Sequence, residues 1–296
     1  MRRPWTGPAG GGNNGLMAGT EIATQSGLAD VPAGGACWGE VLLGDVLDIA
    51  ARCPRDAIDL IYADPPFFTN RRQTGGGEAS AGLTFEDRWQ GGRHEYLAWL
   101  EARVRAMRGL LKPQGVFLLH LDWHVVHYAK VLCDGIFGTE RFQNELIWHY
   151  QTGGASKERF SRKHDSILLY SKDDHFYFDG KAIAIPRTPK AMKRARCPTG
   201  ARIKATDTHK NPDDVLLVPA LNPMARERNG YPTQKPVALL ETLIKALCPR
   251  GGGVGDLFCG SGTTLVAAER LGRRWFGCDT NPAAVRLARE RLGLDK

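Results

Sequence analysis

Asp64-Pro65-Pro66-Phe67 puts a carboxylate, a backbone stiffened by two prolines and a flat aromatic ring into four consecutive residues. Proline fixes its own φ and restricts the residue before it, so the Pro65 carbonyl is held in one direction. A carboxylate and a fixed carbonyl that each accept one N–H can grip a planar amine whose lone pair is delocalised into a ring. The nitrogen then pyramidalises and aims its lone pair at an electrophile, a pre-organised electrostatic arrangement. Phe67 offers a flat face for the ring. Asp-Pro and Pro-Pro are also ordinary turn chemistry, which leaves a rigid turn as the plain alternative for these four residues alone. Their setting favours chemistry, because Ile58 to Tyr62 reads as a buried strand running straight into Asp64. The carboxyl ends of such strands are where open α/β sheets place their ligands.

A second constellation lies near the other end of the chain. Asp256-Leu257-Phe258-Cys259-Gly260-Ser261-Gly262-Thr263-Thr264 is a glycine turn between a strand and a helix. Small residues there let a ligand approach the backbone, and the helix N-terminus offers free N–H groups. Asp279 closes the following strand, placed where a carboxylate can accept hydrogen bonds from both ribose hydroxyls of a nucleoside. Glycines also occur in such turns simply for close packing, and the turn lacks a full G-x-G-x-x-G. Asp279 tips the reading towards a nucleoside site. No lysine follows the second glycine, which excludes a P-loop.

These two sites need a scaffold, and the hydrophobic pattern supplies one. Short strands are expected at Val41–Leu43, Val116–Leu121, Glu145–Tyr150 and Ser166–Tyr170. Leu97, Leu100, Val104, Met107 and Leu111 recur at helical spacing and predict an amphipathic helix ending before Lys112-Pro113-Gln114-Gly115. Pro236 stands where a first helical residue belongs, with Val237, Leu240, Leu243, Ile244 and Leu247 behind it. Strand Val254–Phe258, helix Thr263–Leu271, strand Arg274–Cys278 and a helix to Leu292 capped by Asn281 complete the series. Alternating strands and helices imply an α/β fold with a doubly wound, mostly parallel sheet.

The chain has 296 residues, is 42% hydrophobic and 24% charged, and can bury a sizeable core. Residues 1–36 hold nine glycines and no periodicity, so a disordered leader is expected there. No apolar run approaches the roughly 20 residues of a membrane span, and no signal peptide is evident, so a cytoplasmic protein with no membrane partner is expected. The seven cysteines are scattered without a C-x-x-C pair, suggesting neither a disulfide framework nor a zinc site. The formal charge of +8 is concentrated: Lys181 to Lys210 holds nine Lys or Arg against the single acid Asp207. A basic excess points to a polyanion.

With these motifs in this order, the chain resembles the amino-methylating DNA methyltransferases of the β group, in which an Asp-Pro-Pro-aromatic motif precedes the glycine loop. Leu43-Gly44-Asp45, His120-Leu121-Asp122-Trp123, Phe142 to Trp148 and Gly230-Tyr231-Pro232-Thr233-Gln234-Lys235-Pro236 also match, so the resemblance covers most of residues 40–292. It implies a Rossmann-like fold of permuted motif order and S-adenosylmethionine as the cofactor, with no metal. The substrate it implies is double-stranded DNA, methylated on an exocyclic amino group of a flipped base. Asp64, Pro65, Pro66 and Phe67 would form the catalytic loop. Asp45 would meet the cofactor adenine, Asp279 its ribose, and Asp256, Phe258, Gly260, Gly262 and Thr263 its methionine portion with help from Thr233 and Lys235. Leu257, where the family commonly has proline, and Asp279, where glutamate is frequent, are departures. Asp rather than Ser before the two prolines goes with adenine N6 more often than cytosine N4. The resemblance also allows a modification partner of a restriction endonuclease or a solitary enzyme, and dimers are common among relatives.

Residues 37–150 would then be the catalytic half, 230–296 the cofactor half, and 151–229 a target-recognition insertion. Within the insertion, Arg187, Lys190, Lys193, Arg194, Arg196, Arg202 and Lys204 are expected to meet phosphates; the plain alternative is a solvated charged loop. Arg71 and Arg72, in the loop Thr69 to Leu83 with its run Gly75 to Gly77, are placed to close over the flipped base. His120, His124 and His127 are read as structural residues or as supports for residues that touch the ligands, rather than as metal ligands, and Trp148 and Tyr150 as core. Amino-methyltransferases of RNA or protein are the nearest competing reading, although they generally place the cofactor loop first. A non-catalytic DNA-binding module comes next, and a nicotinamide dehydrogenase last.

Overall fold

Leu60, Ile61, Tyr62 and Ala63 are all essentially inaccessible to solvent, as a strand must be when helices cover both faces of its sheet. Leu60 and Tyr62 face one apolar layer and Ile61 and Ala63 the other, because successive side chains of a strand alternate. The computed structural model describes residues 38–74, 83–150, 155–195, 208–222 and 224–295. The expected leader, Gly75 to Gly77, Arg196, Arg202, Lys204 and the side chain of Arg194 lie outside the described residues.

In chain order the elements begin with β1 (Val41–Leu43), α1 (Val46–Arg52), β2 (Ile58–Ala63), β3 (Arg71–Thr74), β4 (Thr84–Asp87), α2 (Gly92–Leu110) and β5 (Leu111–Leu121). Then come α3 (Val126–Phe137), β6 (Phe142–His149), β7 (His164–Ser171), β8 (Ile185–Pro186), α4 (Pro189–Ala195), β9 (His209–Lys210) and β10 (Val215–Leu216). The chain ends with α5 (Val237–Leu247), β11 (Gly253–Asp256), α6 (Thr263–Arg270), β12 (Arg274–Asp279) and α7 (Pro282–Leu292). Eight strands form one sheet in the order β1-β12-β11-β2-β5-β7-β6-β10. The first five run parallel, and β7 is antiparallel to both of its neighbours.

Val46 and Ile49 of α1, Tyr96, Leu100, Val104 and Met107 of α2, and Ala129 and Cys133 of α3 pack on one face. Leu240, Leu243 and Ile244 of α5, Leu265 and Ala268 of α6, and Val285 and Ala288 of α7 pack on the other. Each large side chain so buried contributes about 2 kcal/mol. β7 and β10, which fall within the span expected as an insertion, are strands of this same sheet.

Three local expectations are corrected. The strand expected from Val116 begins earlier, at Leu111: α2 passes directly into β5, Leu111 pairs with Ile58, and the ladder shifts register before resuming at Leu60 and Val116. Pro113, which has no N–H to donate, sits in that interruption, and Lys112 is tied to Asp59 at 2.8 Å. The loop expected from Thr69 to Leu83 begins with β3, which pairs antiparallel with β4 just beyond it. Pro236 is the extended residue before α5 rather than its first helical one.

Candidate active site

A cavity of about 510 Å³ opens at the carboxyl ends of β1, β12, β11 and β2. It brings together both constellations: Asp64 to Phe67 on one wall, and Asp256, Phe258, Gly260, Thr263 and Asp279 on the other, with Asp45, Thr233 and Lys235 between them. Gly262 is off the wall. It precedes α6 with φ +73°, a left-handed conformation that glycine adopts without strain, and a Cβ there would lie 2.8 Å from that of Ala288. Its requirement is packing. Gly260 differs, because it lines the cavity and any Cβ on it would sit 2.9 Å from the Tyr231 ring.

Asp64 is the pivotal carboxylate. One oxygen, Oδ2, is ion-paired with the buried Lys235 ammonium; the other, Oδ1, is buried with no hydrogen-bond partner. A buried acceptor left unmade costs about 1–3 kcal/mol, so Oδ1 is an unmet acceptor on a residue that lines the cavity. Lys235 also lies 5.1 Å from the centre of the Phe67 ring. Phe67 stacks on His120, centroids 5.8 Å apart. His120 is wholly buried and contacts the Tyr62 hydroxyl through Nδ1 at 2.6 Å and Asp165 through Nε2 at 3.2 Å. Burial and then the charge of Asp64 hold the Tyr62 phenol well above its ordinary range.

The backbone beyond the two prolines is strained. Phe68 and Asn70 have φ near +60°, unusual for residues with a Cβ. Buried Asp87 holds them there, accepting from the backbone N–H of Phe68 at 3.0 Å and of Thr69 at 2.6 Å, from the Thr69 hydroxyl, and from the Trp89 indole. The Tyr96 hydroxyl donates to the Pro66 carbonyl at 2.7 Å. None of these anchors was evident from spacing, because β4 is short and its partner β3 is polar.

The opposite wall is acidic. Asp279 accepts from Gly260 N and Asn281 N, each at 2.8 Å, yet burial still raises it above the ordinary carboxylate range. Burial pushes Asp256 up to about 7, opposed by hydrogen bonds from Thr264 and Phe258 and assisted by the charge of Asp64. Asp45 caps α1 through Leu47 N and is paired with Arg103 at 2.7 Å. The acidic wall, the bare Gly260 turn and the open Asp64 oxygen fit a nucleoside bearing cationic groups. Among the predicted DNA contacts, Arg71 and Arg72 are exposed on β3, Arg72 lying 3.4 Å from Glu86. Arg187 is half-buried, and Lys190 and Lys193 are exposed on α4, away from the cavity wall.

Comparison with known proteins places this geometry. DNA adenine methyltransferase YhdJ of Escherichia coli is 26% identical over 266 residues, covering 86% of this chain and 82% of the relative. The fold is that of the PvuII DNA methyltransferase, described as cytosine-N4-specific, with a TM-score of 0.61, 20% identity and 89% coverage of both chains. It is shared by TTHA0409 of Thermus thermophilus, a putative DNA modification methylase solved with S-adenosyl-L-methionine, with a TM-score of 0.56, 22% identity, and 86% of this chain and 93% of that one covered. The sequence profile of a family described as DNA methylase matches residues 58–290, from the first residue of the strand that delivers Asp64 to the last helix, and the chain belongs to that family.

Proposed function

We propose that the chain transfers a methyl group from S-adenosylmethionine to the exocyclic amino group of a base flipped out of double-stranded DNA, with adenine N6 as the acceptor. The observation that carries this reading is the buried, unpartnered Oδ1 of Asp64 beside the Phe67 ring. An amine N–H donated to Oδ1, and a second donated to the Pro65 carbonyl, draw the nitrogen out of conjugation while Phe67 supports the base. The N–H held at Oδ1 is the proton the nitrogen must shed once it is methylated. That proton passes to the carboxylate oxygen that already holds it, after the new N–C bond has formed, so Asp64 orients the amine first and need not be a strong general base. When bound, S-adenosylmethionine supplies an electrophilic methyl on a sulfonium. Asp279 would hold its ribose, Asp45 would face its adenine, and Asp256, Phe258, Gly260 and Thr263, with Thr233, would hold its methionine portion. Lys235 is reassigned from that group to the catalytic carboxylate it touches.

Adenine is favoured by Asp before Pro65-Pro66 and by the likeness to an adenine methyltransferase. Cytosine N4 is the second reading, favoured by the fold neighbour of that specificity. Arg71, Arg72 and the basic run containing Arg187, Lys190 and Lys193 would contribute phosphate contacts. Mapping methylated positions in genomic DNA from cells expressing the chain tests the proposal, with N6-methyladenine at one short motif as the expected result. N4-methylcytosine would overturn the choice of base, and unmodified DNA the whole reading.

Asp256 makes the site sensitive to pH. Its value in the folded protein lies above that of an unfolded aspartate, so between about 4 and about 7 the folded state keeps a proton that the unfolded state has lost. Stability of the ligand-free protein should therefore decline as pH rises through that window, by an amount on the order of a few kcal/mol. Asp256→Asn should flatten the decline, as read from melting temperatures at pH 5 and pH 8. A parallel pH dependence in both proteins would contradict the assignment.

A further inference from the structure

The loop between β6 and β7 leaves the sheet at the carboxyl end of β6 and returns at the amino end of β7, the edge on which Asp64 lies. Its two roots are tied to the floor under Phe67. The Tyr150 hydroxyl donates to Asp165 at 3.2 Å, and Asp165 in turn holds His120, the residue on which Phe67 stacks. Basic residues after β7 start differently, because β7 ends at Ser171 opposite Val116, on the far edge of the sheet.

The described part of this loop carries Lys157, Arg159, Arg162 and Lys163 against Glu158. Phe160 stands among them completely exposed, at 100% of its possible accessible area. Just past β5, Trp123 is 43% exposed, stacks on His124 at 3.7 Å and carries the Arg162 guanidinium 3.4 Å above its ring. A lone aromatic held out among cations is poorly suited to a second copy of the same chain, whose like charges would meet. It suits a polyanion whose interior is made of flat rings.

Resting on the DNA-methylating reading, we propose that this rim is a duplex-docking surface in which Phe160 is the wedge. It would enter the stack at the gap left by the extruded nucleotide while Arg159 and Arg162 hold the flanking phosphates. Apolar side chains inserted between base steps offset the cost of unstacking in this way. The test is methyl transfer by wild type, Phe160→Ala and Phe160→Trp on two duplexes carrying the mapped motif. One has the target base paired, and the other has it opposite a mismatch that makes extrusion cheap. Phe160→Ala should lose about tenfold or more in kcat/KM on the paired duplex and recover to near wild type on the mismatched one, with Phe160→Trp active on both. Equal loss on both duplexes, no loss on either, or a changed sedimentation coefficient for Phe160→Ala would overturn the wedge. Failure of the wild type on both would instead reject the functional reading.

Discussion

Asp64→Ala should lower the rate of methyl transfer by about 10³-fold, the scale seen when one pre-organised polar contact to a reacting group is removed. Binding of S-adenosylmethionine, followed by calorimetry, should change little, because Asp64 is not among the groups proposed to hold it. Asp64 has a single unpaired oxygen to offer an amine, since its other oxygen is occupied by Lys235. Asp64→Asn is the sharper variant. To keep an oxygen at the open position it must turn its amide N–H groups towards a buried ammonium, so it should be nearly as inactive as the alanine. Activity within tenfold of wild type in both variants would refute the role.

The second large effect should come from Lys235→Met. Removing the ammonium leaves the Asp64 carboxylate buried without its cation and near Asp256, whose value already registers the charge of Asp64. Breaking one side of a buried ion pair costs about 3–5 kcal/mol, and a melting curve at neutral pH should show it. Transfer should fall by about 10² or more, since Lys235 fixes both the carboxylate and, from 5.1 Å, the Phe67 ring. In the double variant Asp64→Asn/Lys235→Met the orphaned charge is gone, so part of the stability should return. A double variant whose destabilisation is the plain sum of the two single ones would show that the ion pair is not coupled.

Which features were legible in the sequence follows from how far apart their partners lie. The β2 strand announces itself as a continuous apolar run ending in Asp64, and the turn from Asp256 to Thr263 carries its glycines locally, so the sheet and both walls of the cavity could be anticipated. The Lys235–Asp64 contact spans 171 residues and has no local signature. The link from Tyr62 through His120 to Asp165 joins three strands, so the sequence marked its histidine as structural or supporting without naming what it supports. Asp87 follows another acid, Glu86, in a short polar stretch, and only the hairpin formed by β3 and β4 reveals why Asp87 is the buried one of the two. Helix α3 was missed because its first turn, Val126-His127-Tyr128-Ala129, mixes exposed and buried residues without a clear stripe. The stacked Trp123 and Arg162 come from separate loops and meet only across the sheet edge.

The pairing of β11 beside β2 has a consequence for biosynthesis. Gly253 donates to Asp59 across 194 residues of chain, so the strand carrying Asp64 has one flank unpaired until nearly all of the polypeptide has left the ribosome. Such long-range closure is slow and leaves an apolar edge exposed while it waits. Nascent or truncated chains that end before Gly253 should therefore be inert towards the genome and prone to capture by chaperones, and modification of DNA should begin only after the last strands are released.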